Sequence, residues 1–229
     1  MKLLIVSATE FEVRPLLDHL ENTWAKTGNS GYTRQGNTID ICLTGVGMVA
    51  TTYALTKALV KQKYQLVMQT GVCGSYDRQL NLGDLVYIKS DQFGDLGAED
   101  HDKYLDIFEM GLLEKYVFPF TDGELVAPKL SIPAIDRLIA VSGLTVNTVS
   151  GNEDTIKKRI EKFDCRVESM EGAAFHYAGL NENIPFAQVR CISNYIEPRD
   201  KSKWKMKETI IALNKWLIDF VEMENDTKQ

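Results

Sequence analysis

The chain has four cysteines in 229 residues, Cys42, Cys73, Cys165 and Cys191, and no two form a Cys-x-x-Cys pair. Zinc-ribbon and dithiol redox motifs are thereby excluded, and in a chain this long the four read as reduced thiols of a cytoplasmic protein. Also missing is any run approaching the roughly 20 apolar residues that a membrane-spanning helix needs. The apolar opening Leu3-Leu4-Ile5-Val6 turns polar at Ser7 and acidic by Glu10, which is too short for a signal peptide. Clustered basic residues are scarce: Lys201 to Lys207 is short and interrupted, and the net charge is -6. Sequence-independent nucleic-acid binding relies on such clusters, so neither nucleic acid nor membrane is expected as a partner. No internal repeat and no low-complexity linker divides the chain.

What remains is an ordinary globular mixture, 44% apolar and 25% charged. Its length supports a sizeable core without staples. One domain over 1–229 is expected, with the polar tail 222–229 frayed.

Leu3 to Val6 reads as a buried strand. Thr9-x-x-Glu12 then opens a helix that carries Val13, Leu16, Leu17 and Leu20 at helical spacing. Glu12 has a plain structural role available as the acid of a capping box begun by Thr9. Thr38 to Thr44 predicts a strand broken by Gly45-Val46-Gly47, and Met48 to Lys61 a helix. Gly45-x-Gly47-x-x-Ala50 is a loose dinucleotide fingerprint. The next strand, Gln65 to Gln69, ends in Thr70-Gly71 instead of a ribose-binding acid, which leaves a Rossmann-type dehydrogenase a distant reading. Thr70-Gly71-Val72-Cys73-Gly74-Ser75 reads as a second glycine turn at a strand end, able to approach a flat ligand closely. Cys73 is a small filler there or a nucleophile without a partnering His.

Gly83 to Phe93 predicts a strand. Gly94 to Asp102 reads as an acidic loop, and a metal reading for His101 among those acids is poor because nothing fixes the ligands. Residues 103–130 are irregular and aromatic. Ile132 to Ser142 predicts a helix, Leu144 to Val149 a strand, Glu153 to Lys162 a charged helix, Ala173 to Leu180 a small-residue helix, Ile184 to Asn194 a buried strand, and Thr209 to Val221 an amphipathic helix. The alternation argues for a layered α/β fold.

Glu12, Glu171 and Asn194 then fall just beyond strands or at helix mouths, where ligands of α/β sheets sit. Each has a structural explanation of its own: a capping box, a helix dipole, a turn. Together, with two glycine segments at the same sheet edge, they favour a polar small-molecule pocket.

Thr70-Gly71-x-x-Gly74, Glu168-Ser169-Met170-Glu171-Gly172-Ala173-Ala174 and Arg190-x-Ile192-Ser193-Asn194 resemble the purine nucleoside phosphorylase and nucleosidase superfamily. The likeness runs from Ser7-Ala8-Thr9-x-x-Glu12 to the C-terminal helix. More narrowly, Gly94-Asp95-Leu96-Gly97-Ala98-Glu99 and Ser193-Asn194-Tyr195-Ile196-Glu197-Pro198-Arg199 resemble the futalosine hydrolase family. That family acts in menaquinone biosynthesis and cuts hypoxanthine from a 5′-modified inosine. The resemblance implies a three-layer α/β/α fold around a central mixed twisted sheet. It also implies a purine nucleoside as ligand, a homodimer or higher homo-oligomer, and no metal or organic cofactor.

It implies roles as well. Glu171 matches the acid that holds the ribose hydroxyls, and Met170 packs beneath the sugar. Glu12 matches the base that activates water. Asn194, beside Ser193, matches the purine reader, and Val46, Gly71, Cys73 and Gly74 line base and ribose. Adenine-specific relatives carry Asp at the Asn194 position. Asn cannot act as a general acid but can donate and accept hydrogen bonds, which suits hypoxanthine and disfavours a methylthioadenosine/S-adenosylhomocysteine nucleosidase. Neither Ser7 to Glu12 nor Met68-Gln69-Thr70-Gly71 holds the arginine with which phosphorylases clamp phosphate, so water is the expected nucleophile. A methylthioadenosine/S-adenosylhomocysteine nucleosidase, a nucleosidase or phosphorylase for other purine nucleosides, and a nucleoside-binding module without catalysis stay as alternatives. For a 5′ carboxylate, Arg199 is the candidate.

Overall fold

The computed structural model describes residues 1–226, with side chains through Met223. In chain order the elements are β1 (Lys2–Ser7), α1 (Glu10–Thr23), β2 (Ala25–Thr27), β3 (Gly31–Arg34), β4 (Asn37–Leu43), α2 (Met48–Lys61), β5 (Leu66–Ser75), β6 (Leu85–Phe93), β7 (Gly97–Asp100), β8 (Lys103–Asp106), β9 (Leu125–Val126), α3 (Pro133–Asp136), β10 (Ile139–Thr145), α4 (Glu153–Lys162), β11 (Val167–Ser169), α5 (Gly172–Asn181), β12 (Phe186–Tyr195) and α6 (Met206–Asp226).

Ten strands form one mixed sheet in the order β11-β10-β6-β12-β5-β1-β4-β3-β2, with β9 on β6. β1 lies parallel to both β4 and β5, and β12 is parallel to β5 but antiparallel to β6. β11 pairs with β10 and also, antiparallel, with β5. That last pairing closes β5, β12, β6, β10 and β11 into a ring, so one end of the sheet has no free edge among them.

The two-residue period of β1 sorts its side chains onto two faces. Leu3 and Ile5 pack with Leu16 and Leu20 of α1 and Leu213 and Leu217 of α6. Leu4 and Val6 pack with Leu55 and Leu59 of α2 and Phe175 and Ala178 of α5. Both faces of the central strands are thus covered by helices, which is why these strands read as continuous apolar runs. The result is the three-layer mixed α/β arrangement expected.

Five expectations are corrected. The predicted helix 132–142 is one turn of helix, α3, and the chain is already in β10 from Ile139. Pairing of β10 with β6 over Ile139 to Thr145 overrides the local pattern. The predicted strand Leu144 to Val149 is accordingly the end of β10 followed by a loop. The second glycine turn is not a turn, since β5 runs unbroken from Leu66 through Gly71 and Gly74 to Ser75. The acidic loop 94–102 contains β7, which forms a hairpin with β8. The stretch expected to fray from 222 is helical through Asp226, and Glu222 is held by His19 and Arg34; residues 227–229 lie outside the described residues.

Candidate active site

Glu12 stands in the first turn of α1 and is 7% exposed. Its capping role is real: the Thr9 N–H donates to Glu12 Oε2 at 3.1 Å and the Thr9 hydroxyl at 2.9 Å. The same carboxylate also has a second side. Oε1 accepts from the Val72 N–H at 3.1 Å, across to the glycine-containing part of β5. One side chain thus serves the cap with Oε2 and reaches β5 with Oε1, and the capping box fixes the carboxylate's position.

The backbone of Glu12 has a further support. Pro15 follows three residues later inside α1, where proline disturbs the helical hydrogen-bond ladder. Buried Asn214 of α6 inserts its amide there: Nδ2 donates to the Glu12 carbonyl at 2.8 Å, and Oδ1 accepts from the Leu16 N–H at 3.0 Å. Sequence reading missed Asn214, and its signal is an amide between Leu213 and Leu217 on the apolar face of a helix.

Glu171 precedes α5 as its N-cap and is 5% exposed. Its side chain does not cap its own helix. Oε1 accepts from the Gly47 N–H at 3.1 Å, and Oε2 lies 3.4 Å from Arg190 Nη1. Gly47, at φ 94°, turns the chain from β4 into α2 in a conformation that side chains avoid; its N–H thereby faces Glu171. Arg190 is the second residue that sequence reading left without a role. It is 1% exposed in the middle of β12, and its Nη1 also approaches the Val72 carbonyl at 3.4 Å. A buried arginine needs a paired charge, so an Arg inside an apolar strand is itself the signal that a buried acid faces it.

The two carboxylates therefore meet through Val72, whose N–H binds Glu12 and whose carbonyl binds the arginine that pairs with Glu171. Asn194 lies further along the same two strands, opposite Gly74. The register of β12 against β5 jumps from Ile192–Cys73 to Asn194–Gly74, so Ser193 is the extra residue of a bulge, a device that re-aims side chains. Ser193 turns inward and is 2% exposed, while Asn194 stays half-buried. The Ser193 hydroxyl lies 2.8 Å from Asn194 Oδ1 and 3.1 Å from the Cys73 carbonyl, and Asn194 Nδ2 donates to the Tyr195 carbonyl at 3.0 Å. One N–H of the amide is left for another acceptor.

Of the lining residues expected, Gly71 lies against Glu12 and Arg190, and Gly74 against Asn194. Met170 is half-buried between β11 and α5, and Val46, 56% exposed, tops the Gly45–Gly47 turn. Cys73 is the exception. Its side chain is buried among Val86, Ile88, Val141 and Ile192, and only its carbonyl reaches Ser193. Burial pushes its thiol up to about 12, so no thiolate nucleophile is present there. Glu168, three residues before Glu171, faces a different cluster. It accepts from the Ser150 N–H and hydroxyl at 2.7 and 2.6 Å and from Arg159 at 3.0 Å, and it pins the loop before α4. Arg199 is exposed and stacks on Trp204, with its N–H donating to the Gly151 carbonyl of that loop.

Two buried acids, an arginine and an amide thus lie along β5 and β12 at one end of a ring-closed mixed sheet. The chain belongs to the phosphorylase superfamily, whose family model matches residues 2–222. Futalosine hydrolase of Acidothermus cellulolyticus is 28% identical over 209 residues, covering 89% of this chain and 84% of that protein. The enzyme of the same name from Thermus thermophilus is 29% identical over 176 residues, covering 74% and 75%. Among solved structures, futalosine hydrolase of Helicobacter pylori superposes with a TM-score of 0.78 at 16% identity, covering 97% of this chain and 98% of that one. The 5′-methylthioadenosine/S-adenosylhomocysteine nucleosidase of Colwellia psychrerythraea, in complex with adenine, gives 0.75 at 21% identity, covering 96% and 93%. These two structures share the fold.

Proposed function

We propose that this chain is a cytoplasmic N-ribosyl hydrolase that cleaves futalosine and releases hypoxanthine, a step of menaquinone biosynthesis, with no metal or organic cofactor. The observation that carries the reading is the joining of two buried carboxylates, Glu12 and Glu171, through Val72 and Arg190, with the amide of Asn194 at the same sheet end. The futalosine hydrolases among the relatives support the substrate.

Cleavage of an N-ribosyl bond passes through an oxocarbenium-like state, as other glycoside cleavage does. Glu171 accepts hydrogen bonds from the ribose hydroxyls, and its charge stabilises the cation growing on the sugar. Gly47 and Arg190 hold that carboxylate in place. Glu12 takes a proton from water as the oxygen attacks the anomeric carbon. The carbon–nitrogen bond breaks, and its electron pair leaves with the base. The free N–H of Asn194 donates to the base, which suits a 6-oxopurine whose anion leaves without a general acid. Arg14, the arginine nearest Glu12 in sequence, is engaged by Glu10 and Asp18 on the outer side of α1. That arrangement favours water over phosphate as the nucleophile.

The active unit we infer is a homo-oligomer. Its support is the exposed apolar face of α2, with Val49 83%, Tyr53 68% and Val60 74% exposed, which continues from the Gly47 turn that holds Glu171. A second copy of the chain is the occupant we assign to it, and sedimentation velocity is the check.

The functional test is free-base release, followed by chromatography in phosphate-free buffer with futalosine, inosine and methylthioadenosine side by side. Hypoxanthine from futalosine is the expected result. Adenine from methylthioadenosine would transfer the protein to adenine nucleosides, and release only after phosphate is added would make it a phosphorylase.

A further inference from the structure

The N–H groups of a helix's first turn need acceptors, usually an oxygen of the side chain at the N-cap, and a carboxylate there is a ready one. The Glu171 side chain does not accept them. Those N–H groups are taken by other side chains instead. The Gly172 N–H donates to Ser169 Oγ at 3.2 Å, and the Ala173 N–H donates to Thr145 Oγ1 at 2.7 Å. Thr145 comes from β10 and is fully buried. Its hydroxyl has one proton, which it donates to Asp91 Oδ1 at 2.8 Å, and the Gln92 N–H donates to the same oxygen at 2.9 Å.

Asp91 is 1% exposed in β6 and packs directly beneath the start of α5. A side chain at Gly172 would come within 2.1 Å of Asp91 Oδ2 and 2.5 Å of Gln188 Nε2, and one at Gly143 within 2.8 Å of Asp91 Oδ2. Two glycines are therefore what admits the carboxyl to this position. Its Oδ2 therefore lies at the N-terminus of α5.

We infer that Thr145, oriented by Asp91, is a surrogate cap for α5 that keeps the Glu171 carboxylate off its own helix and available to the ribose. Both are positioning residues: neither touches the carboxylate, but each removes the competitor that would draw it back. The inference rests on the reading of Glu171 as the ribose-binding acid, and it adds residues from two strands, β6 and β10, to which that reading assigns nothing.

The test is Thr145→Val beside Thr145→Ser. Valine keeps the shape and removes the acceptor, leaving the Ala173 N–H to seek the Glu171 carboxylate. Futalosine KM is expected to rise about tenfold or more, the worth of one hydrogen bond to a charged group. Affinity for free hypoxanthine, which carries no ribose, should stay within about twofold. Thr145→Ser, which keeps the hydroxyl, should recover most of the KM. A Thr145→Val variant that merely melts earlier, with KM unchanged, would overturn the inference. A crystal structure of Thr145→Val decides the point without any substrate. Glu171 turned onto the Ala173 N–H supports it, and Glu171 still on Gly47 and Arg190 refutes it. Should the wild type release no base at all, the functional reading falls while the structure of the variant still judges the cap.

Discussion

Glu12 and Arg190 face each other across Gly71: a methyl group at that position would lie 2.7 Å from Glu12 Oε1 and 2.7 Å from Arg190 Nη1. Both atoms are fixed, Glu12 by Thr9 and Val72, Arg190 by Val72 and Glu171. The strand position is therefore a spacer that only glycine satisfies. Gly71→Ala is expected to cost about 1–3 kcal/mol of stability, the usual cost of overpacking, and to abolish turnover by pushing the base and the guanidinium apart. Urea unfolding and base release, measured on the same preparation, check both halves. Near-normal turnover would show that the two charges need not be held at this separation.

The base assignment predicts a separable loss. Glu12→Gln keeps the side chain's size and cannot take a proton, so kcat should fall by about 10²–10⁴-fold, the range for a lost general base, with substrate affinity little changed. Asn214→Ala should lower kcat less, because it leaves the carboxylate in place and frees backbone groups, the Glu12 and Ile210 carbonyls and the Leu16 N–H. Single-turnover kinetics with equilibrium binding separate the two effects. Full activity in Glu12→Gln would remove Glu12 from the reaction.

How far this site could be read beforehand depended on how local its signals were. Met48–Lys61 and Glu153–Lys162 match their predicted bounds. Gly47 marks the start of the first, and the side chain of Asn152, accepting from the Asp154 and Thr155 N–H groups, caps the second. Glu12, Glu171 and Asn194 each stood beside a recognisable boundary. Arg190 and Asn214 did not: each is a polar residue inside an apolar element, and its partner is 19 to 202 residues away. β10 was misread as helix for the same reason, because its strand character comes from pairing with β6, about 50 residues earlier. The glycines of β5 were read as a turn, whereas Gly71 is there to admit Glu12 and Arg190 against a continuous strand.

Asn194 predicts a change of base preference. Its Oδ1 is engaged by Ser193 and one N–H by Tyr195, so the amide presents its remaining N–H to the base. Asn194→Asp replaces that donor with a group able to hold and transfer a proton. Release of adenine from methylthioadenosine should rise relative to hypoxanthine from futalosine. Competition assays with both nucleosides in one vessel give the ratio directly, and an unchanged ratio would place base recognition elsewhere.

The buried carboxyl of Asp91 predicts a pH dependence of stability. Burial pushes it up to about 7, against the opposing influence of Thr145, Arg190, the Gln92 N–H and Gln188. Between the unfolded value of 3.8 and about 7, the folded chain binds this proton and the unfolded chain does not. Stability from this group is therefore complete at low pH and declines as pH rises through that window. His176, buried beside Phe186 and accepted by the Leu125 carbonyl, works the other way. Burial pushes it down to about 4 from 6.5, so its contribution is complete above 6.5 and is lost on acidification toward 4. The two slopes oppose one another in the wild type between about 4 and 6.5. Asp91→Asn removes only the first. The stability of the variant relative to the wild type should therefore climb as pH rises from about 4 to 7 and level off above. Each tenfold change in proton affinity is worth about 1.4 kcal/mol, which sets a ceiling of about 4 kcal/mol on the climb. Urea midpoints at half-unit pH intervals on the two proteins measure that difference with every other titrating group cancelled. A difference that stays flat across the window would mean that Asp91 is ionised throughout it, held charged by Arg190 and the start of α5.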